Sequence, residues 1–256
     1  MADLPLRRRA RIAAAFGSAD NYESAALVQR TAADRLAERI AALPLPANPR
    51  LLELGCGTGF LTRAVDRTIG PARWTISDVA PAMVDRARAG LGLDADYRVI
   101  DGETVDPAIG QFDLILSGMA FQWFTDLPGA LWRLSGLLTP GGAIAFSTMA
   151  AGSLAEWVEA LAAEELPSGI PAYPTAAAMA AMAPAGFEAE VTIAELREPQ
   201  ADARTFLRGL KTIGAGTAAS GYRPLPPATL RRAMARFDAG PRQVTYRIAF
   251  CLLRAR

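Results

Sequence analysis

Seven residues, Glu53-Leu54-Gly55-Cys56-Gly57-Thr58-Gly59, follow a short apolar run and open a stretch of helical periodicity. Glycines at alternate positions of such a turn let the chain reverse tightly and bring its backbone close to a ligand. The N–H groups at the start of the following helix have no partners within it. A turn of this kind belongs to a βαβ unit, and the flanking pattern agrees. Strands are expected at Arg50–Leu54, Trp74–Ser77, Tyr97–Ile100, Phe112–Ser117 and Ala143–Thr148. Helices are expected at Thr58–Ile69, Pro81–Gly90, Pro128–Leu138 and Ser153–Glu165. Alternation of this type implies right-handed crossovers and a mostly parallel sheet.

The spacing also says what the loop is not. A dinucleotide fingerprint reads G-x-G-x-x-G, whereas here Phe60 holds the last position and Gly59 comes one residue early. Glu53 is poorly suited to a pyrophosphate, and no lysine follows as a P-loop requires. A carboxylate at this place suits an ammonium or sulfonium ligand, met directly or through water. The loop residues Glu53, Gly55, Cys56, Gly57, Thr58 and Gly59 are therefore candidate cofactor contacts.

Further carboxylates fall at the ends of successive strands. Asp78 ends the second, where it can accept hydrogen bonds from two ribose hydroxyls or serve as a helix cap ahead of Pro81. Met83 can border an adenine or belong to the core. Asp101-Gly102-Glu103 follows the third strand, as a receiver for an adenine amino group or as a polar turn. Ser117 to Trp123 follows the fourth strand, on the side where open α/β sheets bind ligands. Leu138-Thr139-Pro140-Gly141-Gly142 reads as a structural turn into the fifth strand.

Residues outside this core divide in two. Residues 1–44 carry an amphipathic helix over 18–40 and form an N-terminal helical cover, while 45–166 form the cofactor-binding core. In 167–256, an Ala-rich helix near Pro171–Met182 precedes a strand at Phe187–Glu195 and a closing strand at Val244–Leu253. Helices at 201–213 and 226–238 lie between those strands, so residues 201–238 are expected to form a lid. The whole is expected to be one domain.

The 256 residues contain no histidine, which removes imidazole bases and the common zinc sites. A net charge of +1 gives no reason to expect nucleic acid or an anionic membrane as partner. No apolar run reaches the roughly 20 residues of a membrane span. The arginine-rich start, Arg7 to Arg11, is unlike a secretory signal. Cys56 and Cys251 form no paired spacing. The expectation is a cytoplasmic protein with no metal.

Glu-x-Gly-x-Gly-x-Gly, an acidic strand end, Asp-Gly-Glu and Leu-x-Pro-Gly-Gly, in that order over residues 45–150, resemble the class I methyltransferases. The resemblance implies a Rossmann-like, seven-stranded sheet with helices on both faces and a small helical lid. It also implies S-adenosyl-L-methionine as methyl donor and S-adenosyl-L-homocysteine as product.

A narrower likeness runs over most of the chain. Phe16, Tyr22 and Gln29 contribute to it, as do Phe121-Gln122-Trp123-Phe124, Asp126-Leu127-Pro128 and Ser147-Thr148. So do Phe206 to Lys211 and Thr245-Tyr246-Arg247. In these the chain is similar to the malonyl-acyl-carrier-protein O-methyltransferases of biotin biosynthesis, which often carry Asn at the position of Gly118. That likeness implies methylation of the free carboxylate of a malonyl thioester on acyl carrier protein. It implies Gln29 and Ser117 near the cofactor and Gln122 in a positioning role, while Tyr22 and Trp123 either wall the methyl channel or belong to an aromatic core. Arg208 and Lys211 are candidates to receive the acceptor carboxylate, or else belong to a solvated helix face. Arg7 to Arg11 can dock a carrier protein or be merely solvated.

Two other readings stay open: a methyltransferase for a free small acid such as trans-aconitate, and a cofactor-binding relative with an assembly role or a different reaction. The carboxyl reading accords with the missing histidine. A carboxylate is about 99.9% ionised at neutral pH and needs no general base.

Overall fold

A computed structural model describes residues 27–212 and 222–255. The side chains of Lys211 and Thr212, and all of Tyr22 and the arginines at 7–11, lie outside the described set. The elements are α1 (Leu27–Ala41), β1 (Arg50–Leu54), α2 (Phe60–Ile69), β2 (Arg73–Asp78), α3 (Pro81–Leu91), β3 (Asp96–Val99), β4 (Phe112–Gly118), α4 (Leu127–Ser135), β5 (Leu138–Met149), α5 (Ala155–Ala162), α6 (Ala176–Ala180), β6 (Phe187–Pro199), α7 (Ala203–Thr212), α8 (Pro227–Ala239) and β7 (Gln243–Ala255).

One seven-stranded sheet has the order β3-β2-β1-β4-β5-β7-β6. The first five strands run parallel, and β7 is antiparallel to both β5 and β6. The order reverses at β1, so the crevice above β1 and β4 is where a ligand site is expected.

Both faces are covered, as the near-continuous apolar runs of β1 and β4 require. In β7 the two-residue period separates Val244, Tyr246, Ile248, Phe250 and Leu252 from Ala249, Cys251 and Leu253. The first set packs with α1, α2, α5, α7 and α8. The second packs with Leu131 and Leu134 of α4 and Met179 of α6.

Several ends differ from the sequence expectation for local reasons. Helix α2 begins at Phe60 rather than Thr58 because Gly59 is its N-cap, with φ 88°. Strand β5 begins at Leu138, ahead of the expected Ala143. The Leu138–Gly142 turn is folded into the ladder as an irregularity between the pairs Phe112↔Leu138 and Leu114↔Ala143. Strand β6 runs on to Pro199, paired with β7 along its length.

Helices α7 and α8 lie between β6 and β7 in the chain and are fastened to α5 by aromatics. Trp157, Phe206 and Phe237 are all buried, with ring centroids 5.8–6.1 Å apart. Outside this cluster, exposed Arg232 and Arg236 both donate to Glu164. No helix among the described residues is long and apolar enough to cross a membrane.

Candidate functional site

The glycine loop is held from three sides. Gly55 and Cys56 both donate their N–H to the Ser77 carbonyl, at 2.9 Å each. The Ser77 hydroxyl donates to the Glu53 carbonyl (2.7 Å), and the Ser117 hydroxyl to the Leu54 carbonyl (2.8 Å). These carbonyls end β1 where the ladder stops, and two serines from the neighbouring strands satisfy them. Ser117 therefore shapes the loop from behind. Ser77 does the same and is invisible to motif reading, because a serine inside an apolar strand carries no local signature.

Asp78 is buried at the end of β2. One carboxylate oxygen accepts from Gly57 N–H and the other from Ala80 N–H, both at 2.9 Å. Burial pushes its pKa up, against the opposing effect of those donors. Each oxygen keeps a second lone pair, and Asp78 borders a cavity of about 110 Å³ at the strand ends. Gly55, Gly57, Met83, Asp101 and Gly102 border the same cavity. A Cβ on Gly55 would fall 2.5 Å from the Ala120 Cβ, and one on Gly102 would fall 2.8 Å from the Phe124 ring. The cradle closes only because both are glycine.

Other loop residues stand behind this surface. Glu53 is 1% exposed and does not border the cavity; its carboxylate accepts from the Thr62 hydroxyl. Burial, reinforced by the nearby Asp78 charge, raises its pKa to about 7 despite that bond. Cys56 turns into the core, where burial pushes its thiol up. The Thr58 hydroxyl is buried with no hydrogen-bond partner among the described residues. Asp101 accepts from Glu103 N–H (3.0 Å). Glu103 borders the cavity, but its Oε1 accepts from Thr125 and Asp126 N–H, at 2.9 and 2.8 Å, and so ties this turn to the start of α4.

A second, larger cavity of about 320 Å³ adjoins the first. Met119 and Trp123 border both. Met119 has φ 55°, a conformation rare outside glycine, and its N–H donates to the Ser147 carbonyl and hydroxyl. Such strain concentrates at functional sites, yet nothing in the sequence around Met119 announces it. Phe121 is buried between Phe124 and Phe146, anchoring the turn that carries Gln122 and Trp123. The wall of the second cavity is largely apolar, with contributions from α1, α5, α7, α8 and β7.

The structure divides the expected site residues between these cavities. Gln29 borders the second, not the first, together with Gln122. Leu207 and Leu210 of α7 line the second cavity, whereas Arg208 on the same helix is exposed and outside its wall. Gly118 borders the first cavity, and a Cβ there would lie 3.3 Å from the Leu61 Cβ.

Residues 51–142 match the family described as Methyltransferase domain. The chain is 47% identical over 91% of its length to the biotin biosynthesis bifunctional protein BioCD of Bordetella avium, of which it spans half. It is 38% identical to the malonyl-[acyl-carrier protein] O-methyltransferase of Magnetococcus marinus, over 95% of this chain and 92% of that one. Among solved structures, a putative methyltransferase from Bacillus halodurans aligns at TM-score 0.62 with 15% identity, over 86% of this chain and 97% of that one. The plantazolicin methyltransferase BpumL, solved in complex with SAH, aligns at TM-score 0.56 and 13% identity, over 99% and 97%. At such identities these two speak for the fold alone.

Sheet order, glycine loop and matched domain together define a class I methyltransferase. Within that class the chain belongs to the malonyl-[acyl-carrier protein] O-methyltransferase family.

Proposed function

We propose that this protein methylates the free carboxylate of a malonyl thioester carried on acyl carrier protein, giving the methyl ester used in pimeloyl and biotin synthesis. The observation that carries the reading is the meeting of two unlike cavities at Met119 and Trp123, one built from glycines and carboxylates and the other largely apolar. The names of the Bordetella and Magnetococcus relatives support the same acceptor.

The first cavity fits S-adenosylmethionine. The spare lone pairs of Asp78 suit two ribose hydroxyls, and the Gly55 and Gly102 cradle admits a flat base that Asp101 and Met83 border. Glu53, one layer behind the loop, supplies negative potential that favours a cationic ligand. When bound, S-adenosylmethionine supplies an electrophilic methyl on a sulfonium, which an ionised carboxylate attacks without a base.

The chain's own contribution is placement and dryness. Trp123 and Met119 form the wall between donor and acceptor, and holding two reactants in line is worth about 7–11 kcal/mol. Helices α7 and α8 act as a lid whose Leu207, Leu210 and Leu230 keep water from the acceptor. Tyr22 and Lys211, expected near this channel, lie beyond what the structure describes. The reaction belongs to the cytoplasm in this reading and uses no metal.

The test is incubation of the full chain with labelled S-adenosylmethionine and three acceptors: malonyl-carrier protein, malonyl-CoA and trans-aconitate. A base-labile labelled ester on the carrier protein is the expected product. Label on a free acid alone would sink the carrier-protein assignment. Binding without turnover on any of the three would favour a non-methylating relative.

A further inference from the structure

No charged side chain among the described residues borders the acceptor cavity. The hydrogen-bond donors that the described residues offer an anionic acceptor there are uncharged. The Tyr246 hydroxyl is buried and faces the charge of Glu198. At the junction with the first cavity, the polar side chain beside Met119 and Trp123 is Gln122.

Two bonds settle which way the Gln122 amide faces. Its Nε2 lies 2.6 Å from the Met119 carbonyl, an oxygen that can only accept, so the nitrogen must be on that side. The buried Thr148 hydroxyl then donates to Oε1 at 3.1 Å. Gln122 Nε2 has two hydrogens and the carbonyl takes one.

We infer that the second Nε2–H of Gln122 receives the acceptor carboxylate, and that Thr148 is a positioning residue that holds the amide in this orientation. The inference rests on the carboxyl-methylating reading above and names what grips the anion. A neutral donor suits this chemistry. Transfer from a sulfonium to a carboxylate cancels both charges, so a cation paired with the carboxylate would stabilise the starting state more than the transition state. An N–H orients the oxygen with less of that penalty. Arg208, outside the cavity wall, is then not required for the grip.

The test uses the full chain with malonyl-carrier protein, comparing wild type with Gln122→Glu, Thr148→Val and Thr148→Ser between pH 6 and 8.5. Affinity for S-adenosylhomocysteine is measured alongside by calorimetry. Gln122→Glu should lower kcat/KM about 100-fold at pH 8, and the deficit should shrink as pH falls, because protonation removes the charge that repels the acceptor carboxylate, although the single O–H must then serve either the Met119 carbonyl or the acceptor. Thr148→Val should lose about tenfold and Thr148→Ser should recover most of it. Cofactor affinity should stay within about twofold throughout.

A Gln122→Glu deficit that is absent, or independent of pH, overturns the inference, as does a loss that follows cofactor affinity. Should Gln122→Glu fail to fold, equal activity of Thr148→Val and wild type overturns it. A wild-type chain inactive on every carboxylate would instead overturn the functional reading, and this inference with it.

Discussion

The two cavities that meet at Met119 are built by opposite means. The smaller is made by backbone: strand ends, glycines with no room for a Cβ, and carboxylates fixed by main-chain N–H groups, all between Leu54 and Phe124. The larger is made by side chains drawn from Val28 to Tyr246, mostly aliphatic and aromatic. A backbone-built cradle has no slack, since a substitution must move the chain itself. A side-chain-built cavity can be reshaped one residue at a time. The contrast teaches where one ligand is held constant and where another can vary.

Gly55→Val gives the largest expected effect. The residue has φ 76°, and its new Cβ would overlap Ala120. The loop must shift, and calorimetric affinity for S-adenosylhomocysteine should fall at least about 100-fold, or roughly 3 kcal/mol. An affinity within tenfold of wild type would show that the loop has slack after all and would break the comparison.

This contrast also decides what could be read from the chain. The glycine loop, Asp78 and the Asp101 turn were legible because each lies next to a strand end and its spacing is local. The seven strands were legible because each is a short apolar or alternating run, as β7 shows. Glu53 was legible as a charge but not as a buried one: its place behind the loop depends on Thr62 of α2. Ser117 and Glu103, expected at the ligand, turn their polar atoms to the Leu54 carbonyl and the Thr125–Asp126 turn. Only the packed structure shows which way they face. The larger cavity was least legible, because Gln29, Gln122, Leu210 and Tyr246 come together only through tertiary packing. In α7 that packing turns Leu207 and Leu210 inward and leaves Arg208 exposed.

Glu53→Gln is expected to have the next largest effect, and it sharpens the electrostatic side of the contrast. The folded pKa of Glu53, about 7, is above its usual 4.5. Its contribution to stability is therefore full below about pH 4.5 and is lost as pH rises through 7, amounting to roughly 3 kcal/mol. Glutamine stays neutral and can still accept from Thr62. The variant should melt several degrees above wild type at pH 8, with the gap closing by pH 5. A cationic ligand favours the ionised glutamate, so wild-type affinity for S-adenosylmethionine should rise as pH passes from 6 to 8. In the variant it should be flat. Parallel pH profiles for the two proteins would remove Glu53 from cofactor recognition.

Leu210→Trp probes the tolerant side and should have the smallest effect. Leu210 sits on α7 and lines the larger cavity, where a larger ring takes up space without touching the glycine loop. Surrounding side chains on α7 and α8 can give, because that wall is made of side chains rather than of strand-end backbone. The expected result is a rise in acceptor KM of about fivefold, near 1 kcal/mol, with S-adenosylhomocysteine affinity unchanged. Loss of cofactor affinity in this variant would mean that the two cavities are coupled through Met119 and Trp123, since those are the residues they share. The strained Met119 backbone would then act as the link between donor and acceptor binding rather than a fixed partition.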